Sequence, residues 1–338
     1  MASLAEQPAP ASLLGGFVGV AWAATVVQDM LEGSRDTSLT AELDDVLLDH
    51  LAQSPWRRDF DVVGGLTGFG LYGVLRGDDE VGRAVVSRTV ARLEELASRD
   101  GTGATWFTQP WLLPQHQRDT FPDGYHNLGL AHGVPGVIGF LGQAAALGNE
   151  AAAGLCDAAV SWLLAQRLPA DAGGWFAATV EPPDGGPRRP ARLAWCYGDP
   201  GVAAALHVAG VALGREEWVR AAVQIAADAA RRPQERSGVL DAGICHGAAG
   251  LALIFHRFAQ ATGDALFADA ATAWYTRLLA MRRDGVGVAG YQSWEPPDWI
   301  DDPGLLTGAA GVALALLAAG GGDPPDWDRL ILLSPTVG

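Results

Sequence analysis

Two hydrophobic textures alternate along this chain, and both run at the helical period. In VGRAVVSRTVARLEELAS, at 81–98, Val86, Val90, Leu93 and Ala97 fall on one stripe with Leu96 at its edge. Arginines and glutamates fill the rest. DALFADAATAWYTRLLAMRR, at 264–283, does the same with Phe267, Ala271, Trp274 and Leu278. Such segments are amphipathic helices, one face on a core and one in water. The second texture is apolar nearly all round, as expected of helices buried on every side, and it always follows a Gly-x-x-Gly.

Six segments carry that second texture: LLGGFVGVAWAA at 13–24, DVVGGLTGFGLYGVL at 61–75, GLAHGVPGVIGFL at 129–141, AWCYGDPGVAAAL at 194–206, GICHGAAGLALIF at 243–255 and GLLTGAAGVALAL at 304–316. Their first glycines, Gly16, Gly65, Gly133, Gly198, Gly247 and Gly308, are separated by 49, 68, 65, 49 and 61 residues. That spacing is too uneven for a stacked solenoid and fits one helical hairpin per unit plus variable loops. Each unit then supplies a buried helix opened by a glycine turn and an amphipathic helix facing water. An inner ring of helices inside an outer ring satisfies both patterns. The expected fold is all-α, an α/α toroid of six to seven hairpins forming one domain over 1–338, with 99–126 as a small insertion or extended loop. Glycine at each turn lets backbones approach closely and is expected to leave the first N–H groups of the inner helices free.

If the inner helices run parallel, all six turns gather at one end of the ring, and most of the distinctive polar residues sit there. Cys196 precedes Tyr197–Gly198, Cys245 and His246 precede Gly247, His132 precedes Gly133, and Asp61 lies four residues before Gly65. The third cysteine, Cys156, lies in an ordinary helical stretch and reads as core. Two thiolates and an imidazole suit zinc, and three protein ligands leave a fourth position open, as in catalytic zinc sites. No compact C-x-x-C accompanies them, so local spacing leaves buried thiols as the ordinary alternative. A core histidine and a helix N-cap are the ordinary readings of His132 and Asp61.

Charge and composition narrow the partners. A formal net charge of −16 argues against nucleic acid or an anionic membrane as the main partner, since both demand a basic face. Every basic residue other than histidine is arginine, which with the Ala, Gly and Pro richness reads as the codon bias of a GC-rich genome. The apolar run at 13–27 is short for a membrane span, and the run at 303–322 has six glycines in twenty residues, so a buried core helix is expected there. The start of the chain lacks the basic region of an export signal. Three scattered cysteines make no disulfide framework, and a cytoplasmic location is expected.

The motifs GLAHGVPG, RLAWCYGDPG, GICHGAAG and GLLTGAAG together resemble the lanthionine synthetase C family, the lanthipeptide cyclases, and the resemblance extends from LLGGFVG to the final WDRLILL. It implies an α/α toroid with one Zn²⁺ at its mouth, and addition of peptide cysteine thiols to dehydroalanine or dehydrobutyrine to form lanthionine and methyllanthionine rings. By the same resemblance Cys196, Cys245 and His246 are zinc ligands, His132 is the acid–base group, Asp61 stands beside it, and Arg192 and Tyr197 complete the active site. The implied partners are a dehydrated precursor peptide, with a lanthipeptide dehydratase and an exporter as further candidates. Family members often carry a small extra domain among the early repeats, and only 99–126 could correspond to it. Rival readings are a protein that adds a small thiol such as glutathione, or a non-catalytic peptide-binding scaffold. The α/α toroid also hosts glycosidases, which need paired carboxylates in the cavity, and zinc prenyltransferases.

Overall fold

A computed structural model describes residues 9–33, 37–181, 185–321 and 326–335. Residues 1–8, on which the export-signal reading partly rests, Gly322 of the second apolar run and the outermost ends of the 1–338 domain lie outside them. In chain order the α-helices are α1 (Phe17–Glu32) and α2 (Ala41–Leu51), then α3 (Leu66–Arg76) and α4 (Glu80–Leu96). A short α5 (Gln115–Thr120) follows, then α6 (Val134–Ala146) and α7 (Glu150–Ala165), α8 (Asp199–Leu213) and α9 (Glu216–Arg231). The series ends with α10 (Ala248–Thr262), α11 (Ala265–Ala280) and α12 (Ala309–Gly320), after which Asp326–Ile331 forms a 3₁₀ segment.

Packing sorts them into two rings. The helices that follow glycine turns contact one another in sequence, α1 on α3, α3 on α6, α6 on α8, α8 on α10 and α10 on α12. Their hairpin partners lie outside, with α2 on α4, α4 on α7 and α9 on α11. The result is an α/α toroid. On α11 the buried residues are Phe267, Ala271, Trp274 and Leu278, the stripe expected from the sequence. On α4 they include Val86, Val90 and Leu93, but the helix ends at Leu96 and Ala97 is its C-cap, because the chain turns at once into the β1–β2 hairpin, Ser98–Asp100 and Gly103–Thr105. A buried network of Thr40, Asp44, Tyr72 and Arg76, with Arg76 Nη1 2.6 Å from Asp44 Oδ2, ties outer α2 to inner α3.

Burial on every side holds for the middle of the inner ring only. On α6 the residues from Val134 to Ala144 are all buried, whereas α1 exposes Val20, Val27, Met30 and Leu31, and α12 exposes Leu317 at 70%. The expectation of a fully buried helix at 303–322 is therefore corrected. The first and last units each have their principal inner-ring contact on one side, α3 for α1 and α10 for α12. No helix of the described residues is long and apolar enough to cross a membrane.

The segment 328–333 packs against the inner ring. Leu330, Ile331, Leu332 and Leu333 are buried; Leu332 lies against Gly139 of α6, and the Ile331 carbonyl accepts the Trp195 indole N–H at 2.8 Å. Asp328 pairs with Arg257 of α10 at 2.6 Å, both side chains under a tenth exposed. One segment thus touches three parts of the inner ring.

The glycine turns fold back on themselves. Ala248 N–H donates to the Asp241 carbonyl at 3.0 Å and Ala249 N–H to Ala242 at 3.1 Å; Leu66, Thr67 and Gly68 repeat this on Asp59, Phe60 and Asp61. The first-turn N–H groups expected to be free are instead satisfied by carbonyls seven residues earlier, a backbone cap in place of a side-chain one. This fold-back dictates the glycines. The second glycine of each turn lies against the carbonyl six places earlier, as Gly250 lies against Ile244, and a methyl there would overlap it. Gly198 has the further requirement of φ +95°, which disfavours a side chain.

Neighbouring turns are joined by backbone hydrogen bonds between nearly equivalent positions. Leu14 N–H donates to Val63, Val62 to Ala131, Ala131 to Cys196, Cys196 to Cys245 and Cys245 to Leu306, at 2.7–3.3 Å. All six turns therefore lie at one end of the ring, laced in order.

Candidate active site

The lacing brings the chemistry together. Cys196 and Cys245 hold the same position, two before the first glycine, on adjacent turns, and the Cys196 N–H donates to the Cys245 carbonyl at 3.0 Å. His246 follows Cys245 directly. The donor atoms of Cys196, Cys245 and His246 all lie within 4.8 Å of one another. Among the described residues this is the one grouping of three or more such donors that could hold a metal ion. Cys156 stands apart on α7, fully buried, its thiol pushed up by burial and directed at the Ile138 carbonyl.

Electrostatics favour a charged cluster. The hydrogen bond shared with Cys245 draws the Cys196 thiol down to about 5, against burial and with help from His246 and the Arg192 charge. Cys245, holding the shared proton beside that thiolate, moves up. His246 is raised to about 9, chiefly by its hydrogen bond to Asp241 and then by Cys196. The Arg192 guanidinium makes no hydrogen bond or ion pair with the described residues, and the residue is exposed. It contributes an unpaired positive charge beside the two sulfurs.

Asp241 is a site residue that the motif reading did not find. Its carboxylate accepts from the Gly243 and Trp294 N–H groups at 3.3 and 3.2 Å and lies 3.2 Å from His246 Nε2. A visible signal existed: the residue six before the first glycine is polar in five of six turns, Asp59, Asn127, Arg192, Asp241 and Asp302. Asn127 and Asp302 use their side chains as Asp241 does, accepting from Gly129 and Gly304 two residues on. In the sixth turn Thr307 donates to Asp302, so His246–Asp241 is the same staple with an imidazole in place of a hydroxyl.

The donor set fits zinc. Tetrahedral Zn²⁺ takes sulfur at about 2.3 Å and imidazole nitrogen at about 2.0–2.1 Å, so its ligand atoms stand roughly 3.3–3.8 Å apart. Donors already within 4.8 Å need only small side-chain shifts. A carboxylate on the other nitrogen of a ligating histidine is the usual supporting arrangement. For Asp241→Asn we expect zinc affinity to fall about 10–100-fold with the helical content unchanged, measured by competition with a chelating dye. Unchanged affinity removes Asp241 from the centre.

The second group is a histidine–carboxylate pair. His132, on the third turn, places Nδ1 2.5 Å from Asp61 Oδ2, and the other Asp61 oxygen accepts the Gly64 N–H at 2.8 Å. The second turn thus fixes the carboxylate that fixes the imidazole, leaving Nε2 free to exchange a proton. Burial opposes the charged ring, but the Asp61 bond and charge outweigh it and move His132 above its ordinary value. Asp59 lines the same space, raised to about 6 by burial and then by the charge of Asp61. Tyr197, on the fourth turn, accepts from Asn127 Nδ2 at 3.1 Å, and burial holds its phenol neutral. The structure brings all seven sequence candidates to one end of the ring.

A family model described as lanthionine synthetase C-like protein matches residues 3–332. The chain belongs to that family. Among solved structures, nisin cyclase is similar at 22% identity with a TM-score of 0.77, over 98% of this chain and 82% of that one. That likeness carries the toroid. No curated protein sequence matches the chain.

Proposed function

We propose that this protein is a zinc-dependent lanthipeptide cyclase that adds cysteine thiols of a dehydrated peptide to dehydroalanine or dehydrobutyrine. The observation that supports it most is the pairing of a Cys₂His donor cluster with a carboxylate-held histidine on consecutive turns of one ring. The reaction needs a thiolate nucleophile and then a proton for the α-carbon, and the two groups match those needs.

Cys196, Cys245 and His246 would hold the zinc, with Asp241 orienting His246. Bound there, the ion supplies a Lewis acid that favours the thiolate of an incoming cysteine. The sulfur–β-carbon bond then forms, the π pair moves onto the α-carbon and its carbonyl as an enolate, and a proton must reach the α-carbon. His132 is positioned to accept the thiol proton and return it, so the net change is addition of S–H across C=C. Asp61 keeps Nδ1 protonated and the charged ring favourable. Arg192, exposed and unpaired, stabilises the enolate oxygen. Tyr197 keeps its hydroxyl on Asn127 and packs against Gly129, holding the third and fourth turns in register.

The test is direct. Zinc-loaded protein is incubated with a dehydrated precursor peptide, and free thiols are counted by alkylation and mass spectrometry. Loss of thiols at unchanged peptide mass supports ring closure. A mass gain from added glutathione favours a protein that adds a small thiol, and no change with tight peptide binding favours a scaffold. We place the protein on the cytoplasmic side, where cysteines stay reduced, acting as a single toroid domain between a dehydratase and an exporter.

A further inference from the structure

Beside the fourth turn lies a cavity of about 620 Å³, set between the loop that follows α7, the start of α8 and the later turns of α9. Arg167, Trp175, Asp199, Gln224, Asp228 and Arg232 are among its lining residues. The segment 188–192, which leads into Cys196, is fastened along its wall. Arg188 Nη1 donates to the Gln166 carbonyl at 3.1 Å, the Ala191 N–H to Phe176 at 2.9 Å, and Arg232 Nη1 to the Ala191 carbonyl at 2.9 Å.

We propose that this arginine-rimmed groove docks an acidic segment of the substrate peptide, anchoring the chain while its cysteine reaches Cys196 and Cys245. The inference rests on the cyclase reading for the identity of that peptide. The preference for carboxylates rests on the groove alone.

Three observations converge. First, Arg167, Arg188 and Arg189 gather on two adjoining loops and none meets a carboxylate among the described residues. Arg167 and Arg189 are exposed and make no hydrogen bond or ion pair, and Arg188 bonds only to Gln166. Like charges brought together without a counter-charge repel, and in a chain of net charge −16 such a cluster marks a place for an anion.

Second, the carboxylates of the cavity are already engaged. Asp199 accepts the Trp175 and Phe176 N–H groups at 3.0–3.2 Å and pairs with Arg232 at 2.8 Å. Asp228 accepts the Trp175 indole N–H at 3.0 Å and pairs with Arg231 at 3.2 Å. Arg167 instead lies over the Trp175 ring, 4.9 Å from its centroid, with its N–H groups unbonded. The ring steadies the guanidinium without neutralising it.

Third, the groove is close to the chemistry. Arg192, beside the two sulfurs, is three residues beyond Arg189, and three residues span at most about 11 Å. A few residues of extended peptide bridge the two places. The volume lies within the range of about 300–1,000 Å³ typical of ligand sites, enough for a short segment and too little for a folded domain.

Two peptides test this, each with one cysteine and one dehydroalanine, and with either three glutamates or three glutamines about four to six residues outside the ring. Binding to zinc-loaded wild type is read by fluorescence anisotropy of the labelled peptide, and ring closure by thiol counting. Exposed charge pairs are each worth a factor of about two to five, so the glutamate peptide should bind about tenfold more tightly at low salt. Its KM should fall by the same factor at equal kcat. The net charge of the protein predicts the reverse order, so the sign alone discriminates. The preference should vanish in wild type at about 1 M salt, where the Debye length is about 3 Å. It should vanish also in the double variant Arg167→Gln, Arg189→Gln, with zinc content, helical content and kcat for the glutamine peptide unchanged. Equal binding of the two peptides, or a preference that survives the double substitution, overturns the inference and leaves the cyclase reading intact. A preference retained by wild type that closes no ring supports the acidic dock and overturns the cyclase reading.

Discussion

Cys196→Ala is expected to lose its zinc and nearly all of its ring-forming activity while keeping the helical spectrum of the wild type. Wild type should carry one zinc per chain. Cys196 sits at a position occupied by Leu14, Val63, Ala131 and Leu306 in other turns, so the turn itself does not need a thiol. The fold should survive where the centre does not. Ionisation alone sets a lower limit on the loss. A free thiol with a pKa of about 8.5 is roughly one part in thirty thiolate at pH 7, so removing the metal costs about thirtyfold before any loss of orientation. Cys245→Ala should behave alike, and Cys156→Ala, outside the site, should match wild type in both readouts. Metal analysis alongside thiol counting checks the set. Zinc-free wild-type protein that still closes rings at full rate would falsify the metal's role.

The second large effect is expected from His132→Asn, which should keep its zinc but close rings about 10²–10⁴-fold more slowly, the usual range for a lost general acid or base. The split between intact metal and lost rate separates His132 from the ligands. A pH profile then tests its partner. Asp61 holds the His132 pKa above the ordinary imidazole value, so the acid form persists above about 6.5 and is lost as pH rises through the raised pKa. In Asp61→Asn that support disappears and the alkaline limb of kcat should move to lower pH. A limb unmoved between wild type and Asp61→Asn assigns the titration to another group.

Much of this was legible in the sequence because the repeat is a backbone device. Both glycines of a turn are imposed by a carbonyl pressed against them, so each turn carries its own signature. The amphipathic stripe of α11 was equally plain, since one face meets the core and one meets water. The place of Asp241 was marked by the polar residue six before the first glycine in five of six turns, but its pairing with His246 was not, because no local spacing encodes which side chain it faces. The one-sided contact of α12 also escaped: the helix reads as uniformly apolar whether or not a neighbour covers it, and Leu317 is exposed. The free N–H groups expected at the helix starts were wrong for a related reason. A loop of seven residues that closes on itself leaves no mark in composition.

The lacing of the turns has a consequence for how new chemistry could arise on this scaffold. Positions one and two before each first glycine are addresses, and the backbone lacing sets neighbouring addresses side by side whatever the chain length between them. Here fifty residues separate Cys196 from His246, while their donors are neighbours. The sixth turn offers the same two addresses, now filled by Leu306 and Thr307, with the Leu306 carbonyl already bonded to the Cys245 N–H at 2.7 Å and Asp302 already in the orienting seat. Its occupants could be exchanged for a cysteine and a histidine without redrawing a single loop. The toroid is in that sense a dial on which a reactive centre can be moved one step at a time.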